Sequence, residues 1–233
     1  MNADALFIAG DSLTGANMYA YCNGNPVMYS DPSGLDCYYF YLDDGLPRRW
    51  SALLDSVYLM IYNQCWPWQV HRIAVKDYDD FKKGWDAMGD NIQTVVINMH
   101  GNPYSLGWED GTTILDSGGV AKLANKKMER LIVGGCNAGH CDFKDTNIAA
   151  AFAKKLGNST PVLASDGTVQ RMPIPFYNNY FSMGDDTFIY WRNRGNGGNR
   201  TNLGWISYTY NGKTLSATPA LGKTPYFRDL IRY

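Results

Sequence analysis

Two short segments of this sequence carry its clearest chemistry: His100-Gly101-Asn102 and Cys136-Asn137-Ala138. Each directly follows an apolar run, TVVINM (94–99) before the histidine and RLIVGG (130–135) before the cysteine. Continuous apolar runs of this length are expected of parallel strands buried on both faces. Open α/β sheets place reactive groups just past the carboxyl ends of such strands, where loops share a crevice. If these two strands are parallel neighbours, the imidazole and the thiol emerge at the same edge. A histidine beside a thiol can take its proton and leave thiolate, the attacking form. His100 is therefore the candidate base and Cys136 the candidate nucleophile. Gly101 lets the backbone approach a substrate closely, and the amides of Gly101 and Cys136 are candidate donors to a developing oxyanion. A buried cysteine is most often an inert small hydrophobe. The functional reading rests on the joint pattern, in which both residues follow buried strands and both have small neighbours.

The elements that must hold these residues alternate between strand and helix. CYYFYL (37–42) reads as an aromatic strand, and residues 49–64 space Trp50, Leu53, Leu54, Val57, Tyr58 and Ile61 as a helix. VHRIAV (70–75) alternates as a strand with His71 packing in its middle. Residues 77–89 put Tyr78, Phe81, Trp85 and Met88 on one helical face, with Gly89 at the stop. Residues 102–115, which include Asp110-Gly111, are expected to form a hairpin or ordered loop. A short helix is expected over 117–127, an Ala-rich amphipathic helix over 145–156, and a third apolar strand at PVLAS (161–165). From Thr168 the sequence turns to aromatic strands such as FIYW and WISYTY, separated by Gly and Asn. The expected architecture is α/β: a three-layer sandwich around a mostly parallel sheet, with a β-rich C-terminal extension.

Bulk composition narrows the classes of function. The chain has 233 residues, a formal net charge of -1 and scattered Lys and Arg, which argues against nucleic acid as a main partner. No apolar stretch reaches about 18 residues, so no membrane span is expected. The opening residues MNADALFIAGDS lack the basic start and apolar core of a signal peptide. Five cysteines (Cys22, Cys37, Cys65, Cys136, Cys141) at irregular spacing do not suggest a disulfide framework, and a reducing site of action is expected. Cys136, His140, Cys141 and His100 offer four soft ligands, but their spacing matches no usual zinc pattern. Neither metal nor other cofactor is expected, and no phosphate-binding glycine motif is present.

Residues 1–35 differ from the rest, being dense in turn formers: Asn25-Pro26, Asp31-Pro32 and Ser33-Gly34. The segment NMYAYCNGNPVMYSDPSGL, Asn17 to Leu35, resembles the end of the repeat-associated core of Rhs and YD-repeat proteins. That resemblance implies two regions, the end of a cage-forming core at 1–35 and a toxin domain at 36–233. It also implies self-cleavage after Leu35 with a role for Asp31. Asp11 resembles the family's upstream aspartate, with Ser12 where proline is usual.

Residues 37–169 resemble a second family, the caspase-like clan of cysteine peptidases that includes clostripain, gingipain and the CHAT group. The stretch LIVGGCNAGHCDF, followed by NIAAAFAKKLGNSTPVLASDGTV, is similar to the CHAT-type pattern. In that clan a histidine followed by glycine ends one core strand and a cysteine ends the next, in the order found here. The resemblance implies a caspase-like fold, His100 as base, Cys136 as nucleophile, and Gly101 with Cys136 as oxyanion donors. Asp166, at the end of the following strand, and Asp110, in the loop after His100, are weaker candidates for contacting a basic side chain of the substrate. Clostripain-like enzymes carry their specificity aspartate just before the cysteine, where this chain has Gly134-Gly135.

Together the two resemblances imply an effector cysteine endopeptidase, secreted or delivered, that acts on proteins in a target cell's cytoplasm. The partners they imply are a protein substrate, a cognate immunity protein and the Rhs core cage. The alternatives are a catalytically inert binding module of the same fold and a zinc-dependent hydrolase.

Overall fold

The apolar runs do become buried strands, and their order explains how one edge of a sheet collects the candidate residues. The structure is a computed structural model that describes residues 35–63, 65–157, 159–174, 177–183, 203–222, 225 and 227–233. Strands β1 (Asp36–Leu42), β2 (Val70–Val75), β3 (Ile92–Asn98), β7 (Met128–Val133), β8 (Val162–Ser165), β11 (Trp205–Tyr210) and β12 (Leu215–Leu221) form a seven-stranded sheet in the order β12-β11-β8-β7-β3-β1-β2. The pairs from β8 to β2 are parallel, and β11 and β12 add antiparallel to the β8 side. Three short strands, β4 (His100–Gly101), β5 (Ser105–Gly107) and β6 (Thr113–Asp116), make a separate antiparallel sheet. β9 (Thr168–Ile174) and β10 (Tyr177–Met183) make a hairpin.

Helices cover both faces. The chain runs from β1 to β2 and then returns past β1 to β3, so the two connecting helices must lie on opposite sides of the sheet. These are α1 (Leu46–Tyr62) and α2 (Tyr78–Asp86). Ala52 and Leu59 of α1 share a core with Cys37, Tyr39, Val96, Ile132 and Leu163, and Phe227, Leu230 and Ile231 of the last helix, α5 (Phe227–Arg232), join them. The intervening strand positions, Tyr38, Phe40, Val95, Ile97, Leu131, Val133, Val162 and Ala164, point the other way. They meet Phe81 and Trp85 of α2, Val120 of α3 (Ser117–Ala121) and Phe152 of α4 (Ile148–Leu156). Period-two alternation between two apolar cores is why these strands read in sequence as unbroken apolar runs. Among the described residues no helix is long and apolar enough to cross a membrane.

Several boundaries differ from the sequence expectation, each for a local reason. The helix expected over 117–127 ends after Ala121, because the following segment is held by the end of α2. Asp86 accepts from the Ala124 amide at 2.9 Å, and Lys126 donates to the carbonyls of Asp86 and Met88. The helix expected from 145 begins at Ile148, where Asn147 caps it by accepting from the Ala150 amide at 2.8 Å. The largest departure is at the C-terminus. WISYTY is not part of an extension: β11 pairs along β8, and Trp205, Ile206 and Tyr208 are buried in the two cores. FIYW (188–191), and residues 1–34 with Asp31, lie outside the described residues, and the described chain enters β1 directly from Leu35.

Candidate functional site

Ile97 of β3 and Val133 of β7 are register partners on adjacent parallel strands, and the ladder continues as the Gly134 amide donates to the Ile97 carbonyl at 2.7 Å. His100 and Cys136 each stand three residues beyond that pair, at the carboxyl edge of the sheet, and both are half-buried. The backbones that follow the two strands touch. A Cβ built on Gly101 would lie 3.0 Å from Gly135 Cα and 3.2 Å from the amide nitrogen of Cys136, so only glycine leaves this approach undisturbed. The structure thus brings Gly101 and the Cys136 amide into one small space.

Each partner is held by its own loop. After His100, Asn102 folds the chain back by accepting from the amides of Tyr104 and Ser105 at 2.8 and 3.1 Å, and β4 pairs with β5 so that His100 lies opposite Gly107. The Pro103 carbonyl accepts from the Ile148 amide at 2.8 Å, tying this loop to the start of α4. After Cys136, Asn137 adopts the left-handed region at φ 58, a conformation that Asn tolerates better than most residues. Its amide donates to the Gly167 carbonyl at 2.8 Å, and the Gly139 amide donates to that of Ser165 at 2.9 Å. A Cβ on Gly139 would sit 2.8 Å from the Ala164 carbonyl oxygen. Tyr208 donates to the Gly139 carbonyl, and Asn147 bridges the His140 carbonyl and the Tyr208 hydroxyl. The loop after β7 is therefore fastened to β8, α4 and β11 at once.

The Cys136 sulfur lies against the start of β9, where the Val169 amide donates to it at 3.4 Å and the Val169 carbonyl is 3.7 Å away. Sequence reading missed this contact, since a backbone amide leaves no signature in residue type.

Asp166 is buried, and both of its oxygens are engaged by backbone: Oδ1 accepts from the Cys141 amide at 2.8 Å and Oδ2 from the Leu203 amide at 2.9 Å. It fastens the segment after Cys136 to the entry of β11. His140, also buried, accepts from the Asp142 amide through Nδ1 at 3.2 Å. The same nitrogen lies 3.8 Å from Asp166 Oδ1. Asp110 is exposed at the tip of the β5–β6 hairpin, where the Thr112 amide holds its carboxyl below the usual carboxylate range. Leu35 lies before β1, its carbonyl 3.7 Å from Cys65 Sγ. His71 stacks on Tyr38 at 4.7 Å.

Beneath the site runs a polar chain that sequence reading also missed. Tyr39 of β1 donates to the fully buried Asp55 of α1 and accepts from Asn98 Nδ2 at 2.7 Å, at the end of β3. Tyr39 reads as one aromatic among many in CYYFYL, so residue type alone could not mark it. Among the described residues no three His, Cys, Asp or Glu side chains gather to hold a metal ion; His100, Cys136, His140 and Cys141 form no such group. Compared with protein-family models and with curated proteins, the sequence matches none.

Proposed function

We propose that this chain is a caspase-like cysteine endopeptidase, the toxic tip of an Rhs-type effector that cleaves proteins in the cytoplasm of a target cell. The observation that carries the reading is the shared register: His100 and Cys136 lie equal distances past partnered residues on adjacent parallel strands, with the Gly101 backbone against the Cys136 amide. The Cys136 thiolate attacks a peptide carbonyl carbon, and the resulting oxyanion is met by the amides of Gly101 and Cys136. His100, now carrying the thiol proton, gives it to the departing amine as the C–N bond breaks. Water hydrolyses the thioester, passing a proton to His100 and returning the free thiol. The effector setting is supported by the resemblance of Asn17 to Leu35 to the end of an Rhs core. It brings an Rhs cage and a cognate immunity protein as partners, with cleavage after Leu35 involving Asp31.

Expression of the chain in a sensitive bacterium, with mapping of newly formed protein N-termini, tests the proposal. Wild type is expected to be toxic and to generate a recurrent set of new termini. Cys136→Ala abolishes both, and His100→Ala lowers cleavage by about 10²–10⁴-fold. Toxicity retained in a folded Cys136→Ala protein overturns the enzymatic reading in favour of a binding module, and inhibition by chelators overturns it in favour of a zinc hydrolase.

A further inference from the structure

At the opposite edge of the sheet, where β1 begins, two other cysteines meet. Cys37 of β1 and Cys65, in the connection from α1 to β2, are 28 positions apart in sequence, yet their sulfurs lie 3.0 Å from each other. A disulfide bond is about 2.0 Å long, so about 1 Å of movement separates the contact from the bond. Cys37 is wholly buried and Cys65 is 5% exposed. The surroundings are polar in a way that inert thiols do not require. Asn63 Nδ2 donates to Cys37 Sγ at 3.2 Å, and Gln93 Oε1 lies 3.4 Å from Cys65 Sγ. The bond from Cys65, and then that from Asn63, hold the Cys37 thiol below its ordinary value despite burial. The pair is therefore asymmetric: Cys65, the less buried residue, beside a fully buried Cys37 sulfur whose surroundings favour the thiolate.

We propose that Cys37 and Cys65 are a redox pair that closes into a disulfide when the protein meets a small-molecule disulfide. Cys65, the less buried residue of the two, loses its proton and attacks one sulfur of the reagent. The reagent's S–S bond breaks, one thiolate leaves, and Cys65 becomes a mixed disulfide. The Cys37 thiolate then attacks the Cys65 sulfur and expels the second thiolate. The protein gives up two electrons and two protons, and one small disulfide is reduced to two thiols. The new bond joins the first residues of β1 to the entry of β2 and encloses all of α1. It restricts the unfolded chain and clamps α1 to the sheet. It forms at the amino edge of the sheet, away from His100 and Cys136, and stands whether or not those residues are catalytic.

The test incubates the full chain with glutathione disulfide, quenches in acid, alkylates remaining thiols in denaturant and maps the peptides by mass spectrometry. The expected result is a crosslinked peptide pair containing Cys37 and Cys65. A thermal midpoint raised by about 5 °C or more should accompany it, reversed by dithiothreitol and absent in Cys65→Ser. Full alkylation of both residues, glutathione left on Cys65 with Cys37 free, or either residue joined to a different cysteine overturns the proposal. The wild-type peptide map decides even if Cys65→Ser does not fold.

Discussion

Gly101 and Cys136 meet backbone to backbone: the position a Gly101 Cβ would take is 3.2 Å from the Cys136 amide nitrogen. This contact locks the loop after β3 to the loop after β7, and so fixes His100 and Cys136 relative to each other more firmly than either strand alone could.

Gly101→Ala should therefore separate activity from folding. The added methyl meets Gly135 Cα and Leu106 Cδ2 at 3.0 Å each, and backbone cannot yield as a flexible side chain can. Overpacking of this kind costs about 1–3 kcal/mol. The proposed peptidase activity is expected to fall by about 10²-fold or more as His100 shifts, while circular dichroism stays that of the wild type. Kinetic assay beside chemical denaturation checks both halves.

Asp166→Ala should act on stability and not on which residue is cleaved. Its two oxygens receive backbone amides from Cys141 and Leu203, and hydrogen bonds to a charged acceptor are worth about 1.5–3 kcal/mol each. With partial solvation of the freed amides, a loss of about 2–4 kcal/mol is expected in urea denaturation. A selective loss of cleavage after Arg or Lys, with stability unchanged, would instead show that Asp166 faces the substrate.

Tyr39→Phe removes a hydroxyl that donates to buried Asp55 and accepts from Asn98. A buried carboxylate deprived of a donor is destabilising, and a loss of about 2–3 kcal/mol is expected. Because Asn98 ends β3 two residues before His100, catalytic efficiency should fall as well. Denaturation midpoints and kcat/KM, measured together, test this.

Acid should weaken the contact between α2 and the segment after α3. The Lys82 ammonium and the Ala124 amide both favour the charged form of Asp86 and hold its carboxyl below the usual range. A group whose folded value is depressed contributes stability above its unfolded value, about pH 4. That contribution is lost as pH falls through the lower folded value. The stability gap between wild type and Asp86→Asn should thus be constant near neutrality and close below about pH 4. The effect is small, because Asp86 is one-third exposed and solvent screens the pair.

Much of this was legible in sequence because the parallel strands had to bury both faces. TVVINM and RLIVGG could hardly be anything else, and residues set directly after them had to emerge at one edge. The hairpin after His100 followed from Asp110-Gly111, and the α2 face from Phe81 and Trp85. What stayed hidden depended on long-range pairing. Trp205 and Tyr208 read as peripheral aromatics until β11 is seen to pair with β8. Asp166 read as a candidate substrate contact because its partners, the amides of Cys141 and Leu203, are backbone groups 25 and 37 positions away. The helix after Ser117 read too long because the bonds that stop it come from Asp86 and Lys126.

The central claim, that His100 shares a proton with Cys136, is tested most directly by the rate at which iodoacetamide alkylates Cys136 between about pH 5 and 9. In the wild-type protein Cys136 should react ahead of Cys141 at mildly acidic pH, and His100→Ala should slow it by about 10-fold or more there. Equal rates in the two proteins across the whole range would contradict the account.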